Sequence, residues 1–209
     1  MPRARTVPDG DIFAVVRNLM ADGGERAATF SAVAAATGLS GASLVQRYVN
    51  RNGMVQAALA DGWAILDGAA READANIGPG PAGAATLLKR LGAEACGVDI
   101  ALLAGRIGDP DLAAKAADWQ CRIETALARR LGTDRAPDLD GARILFAAWQ
   151  GRLLWAETGR DGARLKHAAQ RLSTVVGGKK SKTSSKKSKR KKRDITPTPD
   201  ATAGTVPAV

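Results

Sequence analysis

The sequence predicts an all-α protein of about nine helices. Apolar residues recur at three- and four-residue spacing along most of the chain, alanine is abundant while aromatics are few, and Gly/Pro clusters interrupt the pattern at helix-length intervals. At 209 residues the chain holds about one and a half typical domains. Composition changes abruptly after Gly177-Gly178 and sets off a tail (177–209); the part before it reads as a small N-terminal unit (1–54), marked by two short helices broken by a tight turn, and a larger helical body (55–176).

Ile12, Val15, Val16, Leu19 and Met20 make the apolar stripe of a first helix, which stops at Gly23-Gly24. Thr29 is a good N-cap for a second helix from Phe30, in which Phe30, Val33 and Ala34 form one face. That helix ends near Thr37. Gly38 can take the positive φ of an exit turn, and Ser40 can cap a third helix over about 41–48. Leu44 and Tyr48, four apart, point inward and leave Gly41, Ala42, Ser43, Val45, Gln46 and Arg47 on the outer and flanking surfaces. From Phe30 to Val55 there are two cations, Arg47 and Arg51, and no acid, as suits a surface that meets phosphate.

These residues resemble the helix-turn-helix of the TetR family of bacterial transcriptional regulators. The resemblance rests on Thr29, Val33-Ala34, Thr37-Gly38-Leu39-Ser40, Ser43-Leu44-Val45, Tyr48, Arg51-Asn52 and Met54, in register without a gap, and covers about residues 9 to 66. It implies double-stranded DNA as a partner, with contacts drawn from Thr29, Ser40, Gly41, Ala42, Ser43, Val45, Gln46, Arg47, Tyr48 and Arg51. Ser43 and Gln46 suit hydrogen bonds to base edges, Ala42 and Val45 suit thymine methyls, and Arg47 and Arg51 suit phosphates. Two positions depart from the family pattern. Val45 stands where a phosphate-binding tyrosine is common, and Arg51 replaces a lysine.

In the body, Val55, Leu59, Trp63 and Leu66 stripe a helix that runs to about Asn76, before Gly78-Pro79-Gly80-Pro81. Helices follow over about 82–95 and 98–106. Asp109 caps the next, with Pro110 at its first position, and Trp119 and Ile123 lie on its apolar side as far as Leu131. The helix over about 139–157 is apolar nearly all round, through Ile144, Leu145, Phe146, Ala148, Trp149, Leu153, Leu154 and Trp155, so it needs cover from more than one neighbour. A last helix, about 161–176, carries Leu165, Ala168, Ala169, Leu172 and Val175. The family resemblance makes these two helices the dimerisation bundle of a homodimer, and two-fold symmetry suits reading two half-sites. It also implies a small effector held among the middle helices, where Trp63, Leu88, Leu103, Trp119 and Trp149 are candidate lining residues. With no paired carboxylates or charged cluster legible there, a mainly apolar effector is expected.

No metal or cofactor site is expected. His167, the one histidine, has no acidic partner at metal spacing and reads as an exposed helix residue, while Cys96 and Cys121, outside any CxxC pattern, read as buried and reduced. A helical enzyme finds no supporting constellation. With no run of about eighteen apolar residues, membrane insertion is not expected, and a cytoplasmic, nucleoid-associated protein is.

The tail differs in kind. Between Lys179 and Arg193, ten of fifteen residues are cations and none is an acid: Lys179, Lys180, Lys182, Lys186, Lys187, Lys189, Arg190, Lys191, Lys192 and Arg193. Subtracting these ten charges, and the two of Asp194 and Asp200, from the net +10 leaves +2 for residues 1–178, so the excess charge is almost all in the tail. So charged a segment buries too little to fold alone and is expected to be disordered, serving as a non-specific DNA arm. An alternative is a nucleoid-associated or RNA-binding protein in which this tail dominates binding.

Overall fold

The three N-terminal helices are set by their caps. In the computed structural model, which describes residues 7–92, 98–133, 135–155 and 164–181 with side chains to 174, α1 spans Asp9–Gly23, α2 Phe30–Thr37 and α3 Gly41–Tyr48. Thr29 Oγ1 accepts from the Ala32 N–H at 3.1 Å and Ser40 Oγ from the Ser43 N–H at 3.1 Å, so each helix begins on an oxygen that satisfies an orphan donor. Gly38, at φ 73°, lets α2 turn into α3. A short 3-10 turn, Glu25–Ala27, joins α1 to α2 and has no counterpart in the sequence pattern.

The long helix α4, Arg51–Asn76, starts on Asn50, whose Oδ1 accepts from the Gly53 N–H at 2.8 Å. It belongs to both parts of the molecule: its first half packs on α1, and its second on α5 (Gly80–Gly92) and α7 (Pro110–Leu131). Between these last two lies α6, Ile100–Ala104, whose buried Leu103 sits over Gly62 of α4, where a β-carbon would come within 3.0 Å of it. α8 (Leu139–Leu154) packs on α7, and α9 (Leu165–Ser181) on α5 and α8. Among the described residues the molecule is nine α-helices with no strand.

One apolar core runs through both parts, from Ile12, Val16, Val33, Leu44 and Met54 to Leu87, Leu127, Leu145 and Phe146. Arginines pin it at depth. Arg17 of α1 is 6% exposed and reaches the Ala58 carbonyl at 2.8 Å and Asp61 at 2.7 Å, fixing α1 to α4. Arg130 of α7, also 6% exposed, donates to the Asp74 carboxylate, to the Asp74 carbonyl and to that of Ile77, closing the end of α4. Both are buried charges matched by a carboxylate and carbonyls, without which they would be costly.

Several boundaries differ from the sequence expectation. α5 begins two residues early, at Gly80, because Pro81 is tolerated in a first turn whose N–H groups have no intrahelical acceptor. α6 is shorter, starting on Asp99, whose carboxylate accepts from the Ala101 N–H at 2.8 Å. α9 continues through Gly177-Gly178 to Ser181, so the tail's first residues, with Lys179 and Lys180, are helical. Paired glycines cost about 1 kcal/mol each against alanine but do not forbid a helix. Residues 182–209, with the other eight cations of the tail, lie outside the described residues. Cys121 corrects a second expectation: it is exposed on α7, because the buried face there is claimed by Trp119, Ile123 and Ala126. Cys96 is outside the described residues. His167 is exposed on α9, as its sequence context suggested.

Candidate functional site

The outward face of α3 is the candidate nucleic-acid interface. Only Leu44 is fully buried on this helix, and Tyr48 is half-buried against Phe13 of α1, with ring centroids 5.7 Å apart. Gly41, Ala42, Val45, Gln46 and Arg47 are exposed. Ser43 is half-buried and its hydroxyl lies 2.9 Å from that of Ser40, so both serine side chains are engaged in the cap. That leaves Gln46 as the exposed amide and Ala42 and Val45 as the exposed small apolar contacts. Thr29 is half-buried at the cap of α2, where its Oγ1 pairs with the Ala32 N–H and, at 3.0 Å, with the Ser31 hydroxyl.

The back of α3 is tied to the start of α1. Arg47 donates to the Val7 carbonyl at 2.9 Å and to Asp9 at 3.2 Å, and the Tyr48 hydroxyl donates to the same carboxylate at 2.8 Å. Burial and the Asp9 carboxylate push the Tyr48 phenol up to about 12, against a smaller opposing pull from Arg47. Arg51 is turned away from the surface of α3. Its Nε donates to the Ala28 carbonyl at 2.9 Å, and its other nitrogens reach the carbonyl and carboxylate of Glu25. Arg106, just beyond α6, meets the same carboxylate at 2.6 Å. Asp9 and Glu25 thus organise the cations around the helix-turn-helix. Sequence reasoning missed both, because each partner lies more than twenty residues away along the chain.

The turn into α4 is strained. Val49 has φ 64° and ψ −53°, and the Asn50 N–H donates to the Tyr48 carbonyl across it at 2.6 Å, a γ-turn of the uncommon hand on a β-branched residue. The next turn leaves no room either, since a β-carbon at Gly53 would lie 2.6 Å from the Tyr48 carbonyl oxygen. The end of α3 is therefore held in one position relative to α4.

In the body, the candidate effector residues fall into two groups. Trp63 and Trp119 pack against each other at 5.6 Å, and Trp119 continues to Phe146 at 5.9 Å and Trp149 at 6.3 Å. With Leu103 they fill the space between α4, α6, α7 and α8. The Trp119 indole N–H donates to the Leu66 carbonyl at 3.2 Å, whereas that of Trp63 is buried without an acceptor among the described residues. Leu88 and Trp149 instead line a cleft of about 740 Å³ between α5, α8 and the start of α9. The cleft is also lined by Lys89, Arg152, Arg164 and Lys166. These four cations come from three separate stretches of the chain, so no local sequence signal groups them. Among the described residues, no three His, Cys, Asp or Glu side chains converge as metal ligands, and no helix is long and apolar enough to cross a membrane.

Neither the family models nor the curated proteins include a match to this chain. Among solved structures it is similar to the TetR family transcriptional regulator PfmR from Thermus thermophilus, with a TM-score of 0.56 over 79% of this chain and 96% of that one, at 18% sequence identity. The fold is the TetR fold. At this identity the likeness concerns architecture alone.

Proposed function

We propose that the protein is a sequence-specific, DNA-binding transcriptional regulator that works as a ligand-responsive homodimeric repressor. The observation that carries this reading is α3 itself: an eight-residue helix, capped at Ser40 and clamped from behind, with Ala42, Val45 and Gln46 exposed and no acid among its residues. An α-helix fits the major groove, where an amide can pair with adenine and small apolar groups can meet thymine methyls. The TetR regulator of similar fold supports the same assignment.

Dimerisation is supported by α8. Leu145, Phe146 and Trp149 are buried, while Ile144 is 59% and Leu154 71% exposed on the opposite side, around Gly151, where an added β-carbon would meet open space. Such an uncovered apolar stripe suits a second copy of the chain, with α9 alongside. Occupation of a promoter by the dimer would exclude polymerase, and a ligand would relieve this through unequal affinity for the DNA-compatible and DNA-incompatible states.

Selection of fragments from the protein's own genome by the purified full-length chain tests the proposal. A shared palindromic site is expected, and Gln46→Ala should relax preference at one position in each half-site by about 1–3 kcal/mol. Enrichment without a common site would reject sequence-specific regulation and favour a tail-dominated nucleic-acid binder. A reporter downstream of the selected site reads the sign of regulation.

A further inference from the structure

The cleft between α5, α8 and α9 has an apolar floor and a cationic rim. Leu88, Trp149, Leu153 and Leu165 line it together with Lys89, Arg152, Arg164 and Lys166, and no Asp or Glu among the described residues lines it. None of these four cations has an ion-pair partner among the described residues, which is true also of Arg26, Lys115, Arg135 and Arg171 but not of the arginines that brace the core, such as Arg17, Arg51 and Arg130. Lys89 and Arg152 lie in the last turns of α5 and α8, where a helix favours positive charge. Arg164 and Lys166 lie at the opposite kind of position. They stand at the N-terminal end of the 17-residue α9, whose first turn has no acid, so their charges add to the positive end of the helix. Among the described residues no acid offsets these four exposed cations, so the rim of the cleft favours an anion.

We propose that this cleft binds an amphiphilic organic anion, its apolar body on Leu88, Trp149 and Leu153 and its charged head at Lys89, Arg152, Arg164 and Lys166. The class follows from charge complementarity and shape together. A free inorganic anion would leave the apolar floor wet, and a neutral hydrocarbon would make no use of the four cations at the rim. This rests on the reading of the chain as ligand-responsive and names the ligand class, in place of the mainly apolar effector that the sequence suggested. The cleft also accounts for Leu88, the effector candidate that stands apart from the aromatic core, and for Trp149, which borders both.

The test is calorimetric titration of the full-length protein with octanoate and with octan-1-ol, without DNA, checked by quenching of tryptophan fluorescence. Saturable octanoate binding is expected at one site per chain, at least tenfold tighter than octanol and weakened by salt. In the double variant Lys89→Glu/Arg152→Glu, both positions being exposed, octanoate affinity should fall at least tenfold while octanol binding stays unchanged. Absence of saturable octanoate binding, equal affinity for the alcohol, or full octanoate affinity in the double variant, as binding to the basic tail would give, would each overturn the proposal. Because no DNA is present, failure here leaves the DNA-binding reading intact, and failure to find an operator leaves this site intact.

Discussion

Arg51 shows how a residue's type and its role can part. The sequence offers it as a cation for phosphate, yet its guanidinium spans the carbonyls of Ala28 and Glu25 and braces the 3-10 turn against α4. Only a planar fork can serve two carbonyls in this way, so Arg51→Lys should destabilise the protein by about 1–3 kcal/mol, read as a lower urea midpoint. A lysine variant of full stability but weakened DNA binding would return Arg51 to the phosphate role. Tyr48 gives a second residue-level expectation. Its phenol is raised in the folded protein to about 12, so the folded state holds the proton more tightly than the unfolded chain. The corresponding stabilisation is complete below about pH 10 and is lost as pH rises toward 12. Tyr48→Phe should flatten that decline in thermal melts between about pH 9.5 and 12; an unchanged slope would mean that other groups set it. Neither partner set was legible in the sequence, because Glu25 and Asp9 act across 26 and 38 or more residues and no short-range pattern marks them.

Helices were legible where a side chain terminates them. The expected bounds of α2, α3 and α7 coincide with the structure because Thr29, Ser40 and Asp109 each accept a backbone N–H at the predicted cap. Where no such signal stands, as at the end of α9, the paired glycines read as a stop, yet the helix runs on through them to Ser181. The same distinction applies to α8. Its apolar encirclement is plain in the sequence, but which face is core and which is free follows only from the positions of α7 and α9. The free face, with Ile144, Gly151 and Leu154, makes the dimer proposal specific. Gly151→Arg places a charge into the middle of that stripe without touching the core, since a β-carbon there meets nothing within 4 Å. The variant should sediment as a folded monomer at micromolar concentration and lose most operator affinity, because a half-site bound alone gains nothing from its twin. A dimer of unchanged stability would move the interface off α8.

At the scale of the whole molecule, charge and shape are divided between different segments. The folded body carries nearly balanced charge, with its arginines largely committed to internal carboxylates and carbonyls, such as Arg122 and Arg71 on Asp67. Burial raises the Asp67 carboxyl, but these two guanidiniums outweigh it and hold it below the usual range, so their charges are already spent within the fold. The cations nearest α3, Arg47 and Arg51, are engaged within the fold, while the segment from 182 onward holds eight of the ten cations clustered in the tail. Affinity and selectivity should accordingly separate. Deleting residues 182–209 should reduce the slope of log affinity against log salt by up to about 7, at roughly 0.9 per phosphate neutralised, and weaken binding to any duplex. The ranking of operator variants should survive, because it depends on α3, whose caps and core contacts all lie within residues 7–76. Fluorescence anisotropy over about 50–300 mM salt, on one operator and one scrambled duplex, reads both quantities. An unchanged slope would detach the tail from DNA, and a lost ranking would show that the tail shares in reading sequence.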